Sequence, residues 1–203
     1  MAQKIDAGTK LYGLLGNPVG HSMSPFMQNL FLEQCGINGV YLAFAVEQND
    51  IGAVLRGMHA MGVAGCNVTI PHKEAVIPHL CGMSKAAAAC GAVNTLIYTQ
   101  AGYYGDNTDG AGLLAALEAN HNWTANGKQV LVIGAGGAAK GVAVAMALAG
   151  AEKICIANRT LEKAEQLAEQ IAALSSTRTE AIDMDALQDT ALYQQYHTIV
   201  HTT

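Results

Sequence analysis

The stretch Gln129-Val-Leu-Val-Ile-Gly134-Ala135-Gly136-Gly137-Ala138-Ala139 runs from five strand-forming residues into a glycine turn and then into Ala- and Val-rich sequence. It reads as strand, tight turn and helix start, with the spacing G-x-G-x-x-A. Each position has a physical task. Gly134 permits the turn, Gly136 lets backbone approach a pyrophosphate, and small Ala139 lets helix and strand pack closely. The helix beginning beyond Gly137 offers unpaired N–H groups to phosphate oxygens. Gly-rich turns also arise for packing alone, so the context has to carry the dinucleotide reading.

That context extends downstream. Lys153–Ala157 is a second strand, Leu161–Leu174 a helix, and Glu180–Met184 and Thr198–His201 two further strands with a weaker helix between them. This βαβ order predicts a Rossmann-like domain. The second strand ends at Asn158-Arg159-Thr160, where an acid would bind a ribose 2′-hydroxyl and repel a 2′-phosphate. With a guanidinium there instead, and Lys163 one turn on, NADP is expected over NAD. In the alternative reading Asn158 and Thr160 cap the helix from Leu161 and Arg159 is solvated.

Upstream, Leu11–Leu15, Val40–Val46, Cys66–Ile70 and Val93–Tyr98 read as strands. Helices are expected from Ser24, as N-cap with Pro25 at N1, after Asn49-Asp50, and over Ser84–Cys90. The alternation predicts an α/β fold: an N-terminal α/β substrate domain with a mainly parallel sheet, residues 1–108, then the Rossmann-like NADP-binding domain, residues 109–203, joined through a helix over Gly110–Asn120. The chain stops directly after an apolar strand, at Val200-His-Thr-Thr203, which reads as an interruption of the second domain.

Bulk properties exclude several classes. With 51% hydrophobic and 13% charged residues, the chain is not disordered. A net charge of −5 without a basic stripe argues against nucleic acid. The five cysteines, at 35, 66, 81, 90 and 155, form no CxxC pair, so neither a disulfide framework nor a zinc site is indicated, and the seven scattered histidines suggest no metal. No apolar stretch is long enough to span a bilayer and no signal-peptide core leads the chain, so the cytoplasm is the expected location and no membrane partner is expected. Met23, Met27, Met58 and Met61 are read as core fillers.

Four clusters in the first half have no cofactor explanation. Gly16-Asn-Pro-Val-Gly-His-Ser22-Met-Ser24-Pro25 places two hydroxyls at a helix start, a cradle for a carboxylate. Asn67-Val-Thr69-Ile-Pro-His72-Lys73 alternates polar and apolar residues, so Asn67 and Thr69 share a side. Ala92-Val-Asn94-Thr95 and Gly105-Asp-Asn107-Thr108-Asp109-Gly110 complete the set. Singly, each has a bland reading: Ser24 a cap, Lys73 a solvated charge, Asp109 a helix cap, His72 a local hydrogen-bonding residue.

Together, GNPVGHSMSP, GCNVTIPHKE, GAVNTL, NTDGAG, GAGGAAKG and NRT occur in the order found in shikimate dehydrogenases, and the chain resembles that family, with its quinate/shikimate relatives, from Tyr12 to its end. The resemblance implies NADPH-dependent reduction of 3-dehydroshikimate, a small-molecule substrate, and a substrate domain facing a nucleotide domain; it leaves a homodimer open. By its motifs, Ser22 and Ser24 hold the substrate carboxylate, Thr69, Lys73, Asn94 and Asp109 bind ring hydroxyls, and Lys73 with Asp109 form the catalytic pair. The cofactor set is Gly134, Ala135, Gly136, Gly137, Ala138, Asn158, Arg159, Thr160 and Lys163. Alternatives are an NAD-using quinate/shikimate dehydrogenase and a metabolite-binding module without catalysis. Three positions depart from the family pattern: Gln28 where His is usual, Lys85 where many relatives carry an acid, and His201 where Asn is common. Relatives also continue beyond the equivalent of Thr203.

Overall fold

The computed structural model describes residues 5–203 of the chain. In order these form β1 (Lys10–Gly16), α1 (Ser24–Gln34), β2 (Gly39–Ala45), α2 (Ile51–Ala60), β3 (Gly65–Val68), β4 (Gly82–Met83), α3 (Lys85–Cys90), β5 (Thr95–Thr99), β6 (Gly102–Asp106) and α4 (Asp109–His121). There follow β7 (Gln129–Ile133), α5 (Gly137–Leu148), β8 (Lys153–Asn158), α6 (Leu161–Leu174), β9 (Arg178–Asp183), α7 (Thr190–Tyr193) and β10 (Thr198–His201). They fall into two compact units. One holds the described residues up to Ser84 with Ala92–Asp106; the other holds Lys85–Gly91 and Asn107–Thr203.

The first unit is built on a six-stranded sheet, β2-β1-β3-β5-β6-β4. β1 lies parallel to both β2 and β3, and β4 parallel to β6, while β5 runs antiparallel to β3 and β6. The β5–β6 hairpin escapes a sequence reading because its Gln100-Ala101 turn lacks the Asn-Gly or Asp-Gly signal of a two-residue loop. Ile51, Leu55 and Met58 of α2 recur at helical spacing and are buried. By contrast α1 buries no residue, and Phe26 and Phe31 are 65% and 50% exposed. Of the four methionines expected in the core only Met58 is there; Met23, Met27 and Met61 are exposed, the first two on or beside α1.

The second unit has an all-parallel sheet, β10-β7-β8-β9. Val130, Leu131 and Val132 on β7 and Ile154–Ala157 on β8 are wholly buried, which explains their unbroken apolar runs: both faces are covered. Ala164, Leu167, Ala168 and Ile171 form the buried stripe of α6. The weak helix between β9 and β10 is a 3-10 stretch, Met184–Gln188, followed by the single turn of α7. Close packing of α4 on α5 is enforced by glycine. A Cβ on Gly110 would lie 2.3 Å from the Ala145 Cβ and 2.4 Å from the Gly141 carbonyl oxygen.

Candidate active site

In the first unit, backbone hydrogen bonds tie the ends of four strands together. Thr69 N–H donates to the Leu15 carbonyl (2.9 Å), Asn17 N–H to Ile70 (3.0 Å), Val46 N–H to Gly16 (3.1 Å) and Val93 N–H to Lys73 (2.8 Å). Buried His72 adds a side-chain tie, its Nε2–H donating to the Val46 carbonyl at 2.8 Å. His72 is thus a hydrogen-bonding residue, but its partner is 26 positions away and not local as expected. β3 stops at Val68, two residues before its expected end, and the chain turns with His72 N–H bonded to the Thr69 carbonyl. Thr69 and Lys73 are therefore held on a braced turn, and Lys73 is half-buried.

An opening of about 490 Å³ is lined by Asn17, His21, Ser22, Ser24, Thr69 and neighbouring apolar residues. Ser24 is the first residue of α1 and not its cap; Met23 occupies the cap position, without a side-chain bond. The capping function falls to Ser22, whose Oγ accepts from Ser24 N–H at 3.2 Å. Gly16 makes the opening feasible: a Cβ there would stand 2.4 Å from the Thr69 Cγ2. Nothing in the local pattern distinguishes this glycine from a turn glycine.

Asn94, 9% exposed, sits at the end of a polar chain. Thr95 Oγ1 donates to its Oδ1 (2.9 Å), Asn67 Nδ2 reaches its carbonyl (3.4 Å), and Tyr41 donates to Asn67 Oδ1 (2.8 Å). Burial holds the Tyr41 phenol above its usual range. Asn67 and Gln28 line a second opening, of about 340 Å³, with Tyr41 and Thr95. Asn67 and Thr69 thus serve different openings. Thr95 adjoins Asn94 in its motif, but the contact from Asn67 on β3, itself held by Tyr41 on β2, spans 27 residues and was not legible in the sequence.

In the second unit, Gly134 has φ +115 and its N–H donates to the Ala157 carbonyl at 2.8 Å; a Cβ there would meet Thr202 Oγ1 at 2.4 Å. A Cβ on Gly136 would meet nothing within 4 Å, so the turn is open where a phosphate would approach. Gly137 and Ala138 begin α5, whose N-terminus has no side-chain cap, and Ala139 is fully buried. An adjoining cleft of about 710 Å³ is lined by Ala135, Gly136, Asn158, Arg159, Thr160, Lys163, Asp183, Met184, Asp185 and Thr203. The glycine turn thus shares one opening with two cations. Of the capping alternative, Thr160 stands at the cap position of α6 but makes no side-chain cap bond, Asn158 Nδ2 donates to the Thr160 carbonyl (2.8 Å), and Arg159 is exposed as that reading expects. These features fit an anionic dinucleotide carrying a further phosphate on its ribose.

Asp109 is half-buried as the first residue of α4, preceded by Thr108 at the cap, and its N–H donates to Asn107 Oδ1 at 3.1 Å. Asn107 is buried, and a Cβ on Gly141 of α5 would stand 2.9 Å from its Oδ1 and 3.3 Å from the Asp109 Cβ. Sequence reasoning missed this support, which brings Gly141 against Asn107 and Asp109 from a motif far earlier in the chain. Lys73 belongs to the first unit and Asp109 to the second. Lys85 is exposed at the start of α3, and exposed His201 accepts or donates at 3.1 Å with Thr203 Oγ1. Among the described residues no His/Cys/Asp/Glu group could hold a metal, and no helix is long and apolar enough to cross a membrane.

Comparison with known proteins gives a consistent result. Residues 14–96 match the shikimate dehydrogenase substrate binding domain and residues 115–202 match shikimate/quinate 5-dehydrogenase. A shikimate dehydrogenase (NADP(+)) of Geobacillus kaustophilus is 45% identical over 96% of this chain and 68% of its own length. Coverage of other such relatives ranges from 57% to 70% of their length. A crystal structure of the Listeria monocytogenes shikimate 5-dehydrogenase, in complex with shikimate and NAD, superposes with TM-score 0.91 at 32% identity, covering all of this chain and 71% of that one. The Thermus thermophilus enzyme, in complex with NADP(H) and shikimate, gives TM-score 0.81 at 33% identity, over 96% of this chain and 69% of that one.

Proposed function

The chain belongs to the shikimate dehydrogenase family, and from that premise we propose that it carries the machinery for reversible NADPH-dependent reduction of 3-dehydroshikimate to shikimate, in aromatic amino-acid biosynthesis. The observation that carries the reading is the opening in the first unit, lined by three hydroxyl residues: Ser22 and Ser24 at the start of α1 and Thr69 after β3. Such a group of donors suits a carboxylate and a hydroxylated ring. Residues 1–108 serve the substrate and residues 109–203 the cofactor, a division supported by the two motif sets.

The Gly134–Ala138 turn would hold the pyrophosphate of NADP(H), and Asn158, Arg159, Thr160 and Lys163 its phosphorylated ribose; when bound, the cofactor would supply the hydride. Ser22 and Ser24 bind the substrate carboxylate. Thr69, Asn94, Lys73 and Asp109 orient the ring hydroxyls. As charge grows on the ketone oxygen, the Lys73 ammonium stabilises it and gives up a proton from Nζ. Asp109 is proposed as the second member of the acid–base pair. We also propose a cytoplasmic location, consistent with five cysteines that form no disulfide.

The Listeria neighbour, solved with NAD, favours a second reading, an NAD-using quinate/shikimate dehydrogenase. Arg159 and Lys163 at the ribose end of the cleft weigh against it. One assay separates these and also tests for a non-catalytic binding module: the protein is given shikimate or quinate with NADP+ or NAD+, and nicotinamide reduction is followed by absorbance. The reading expects shikimate with NADP+ to be the fastest pair. Absence of shikimate-dependent reduction would sink it.

A further inference from the structure

The cleft beside the glycine turn has three walls, and two are accounted for. On the NADP reading, Ala135 and Gly136 would meet the pyrophosphate, and Arg159 and Lys163 the ribose 2′-phosphate. The third wall is the end of β9 and the residues after it: Asp183, Met184 and Asp185. Two carboxylates are a poor surface for a phosphate, so on the NADP reading this wall is left for the base.

Asp183 is the better placed of the two acids. It is the last residue of β9, paired in register with Asn158 at the end of β8, so both side chains leave the same face of the sheet, with Arg159 immediately following Asn158. Its carboxylate is also oriented locally: Oδ1 accepts from Asp185 N–H at 2.9 Å, capping the 3-10 stretch. That bond engages Oδ1, and Asp183 lines the cleft. A carboxylate only accepts hydrogen bonds. Of the polar atoms on an adenine edge only the 6-amino group donates; the ring nitrogens accept. The half-buried Met184 side chain beside it offers a polarizable apolar surface for the flat face of the base.

We propose that Asp183 is a specificity-determining residue that reads the 6-amino group of the cofactor's adenine. The inference rests on the NADP reading above and deepens it. A carboxylate in this position accepts from the 6-amino group and repels the carbonyl oxygen that replaces it in a 6-oxo purine, whose N1–H donor lies one ring position away.

The test is equilibrium binding by calorimetry, without turnover. NADP+ is compared with nicotinamide hypoxanthine dinucleotide phosphate, which has a carbonyl in place of the 6-amino group. The unaltered protein is expected to bind the hypoxanthine form about ten- to a hundredfold more weakly, the scale of losing a charge-assisted hydrogen bond. In Asp183→Asn, whose amide can still cap the 3-10 stretch and can turn to donate or accept, the ratio should fall to within about threefold. Asp185→Asn should keep the original ratio. Equal binding of the two dinucleotides by the unaltered protein, an unchanged ratio in Asp183→Asn, or loss of discrimination in Asp185→Asn instead would each overturn the assignment to Asp183. If neither dinucleotide binds, the cofactor reading itself fails, a result distinct from equal binding.

Discussion

Gly110 and Gly112 occupy the same turn of α4, yet alanine at the two positions should change stability in opposite directions. At Gly112 a Cβ would meet nothing within 4 Å. Gly112→Ala removes backbone freedom from the unfolded chain, and helix propensity gains about 0.5–1 kcal/mol. At Gly110 the added carbon would stand 2.3 Å from the Ala145 Cβ and 2.4 Å from the Gly141 carbonyl oxygen. Carbon atoms pack at about 3.5–4.0 Å. Neither obstacle is the end of a flexible side chain, so α4 and α5 must separate by roughly 1 Å. Overpacking of this kind costs about 1–3 kcal/mol, and more where backbone must move. After the propensity gain a net loss of about 1–2 kcal/mol remains. At about 2–4 °C per kcal/mol for a chain of this size, Gly110→Ala should melt roughly 2–8 °C lower. Gly112→Ala should melt a few degrees higher. Differential scanning calorimetry reads both. Function adds a second readout, because Asp109 adjoins Gly110 and rests against α5: a displacement near 1 Å can cost about a hundredfold in turnover. A Gly110→Ala protein as stable as Gly112→Ala would refute the close approach of the two helices.

Lys73→Ala should lower turnover by roughly 10²–10⁴ while shikimate affinity falls much less, and a turnover equal to that of the unaltered protein would remove Lys73 from the mechanism. Arg159→Ala should weaken NADP+ binding about ten- to a hundredfold and leave NAD+ binding nearly unchanged, as followed by titration calorimetry; equal losses for both would mean that no 2′-phosphate contact is made there. Stability should fall in alkali. Burial pushes the Cys66 thiol up from 9.0 to about 12, and holds the Tyr41 and Tyr103 phenols above their usual range as well. A raised folded-state value means the Cys66 contribution is whole below pH 9 and is lost as pH rises from there towards 12, at up to about 1.4 kcal/mol per pH unit per group. Urea unfolding at pH 8 and pH 10 measures it, and equal stability at the two values would contradict the burial of these groups.

What the sequence revealed depended on whether a signal was local. The strand–turn–helix at Gln129–Ala139 could be read because period, turn and packing requirement all lie within eleven residues, and β7, α5 and β8 appear where the pattern put them. The β5–β6 hairpin could not, because its turn carries no glycine or asparagine at the two loop positions, and Gly105-Asp106 drew attention as a motif and not as a strand end. The second unit's claim on Lys85–Gly91 was equally hidden. Gln170 Nε2 bonds the Ala89 carbonyl at 2.6 Å, a contact 81 residues apart that no window of sequence contains.

The candidate site divides along the same line. Hydroxyls, amides and charges announced themselves as chemistry, so Ser22, Thr69, Lys73 and Arg159 could be named as candidates by type and motif. The groups that place them were not. Asn94 is oriented by Thr95 and by Asn67, itself bonded to Tyr41 from another strand. Glycine makes the point most sharply. Gly16, Gly110, Gly112 and Gly141 are the same letter in similar company, yet only Gly112 has open space where a side chain would go. Gly16 yields its space to Thr69, Gly110 to Ala145, and Gly141 to Asn107 and Asp109. Those three glycines are fixed by neighbours remote in the chain, so substitutions there should act on the site through the side chains that they admit. A glycine with no such neighbour should act, if at all, through the unfolded state alone.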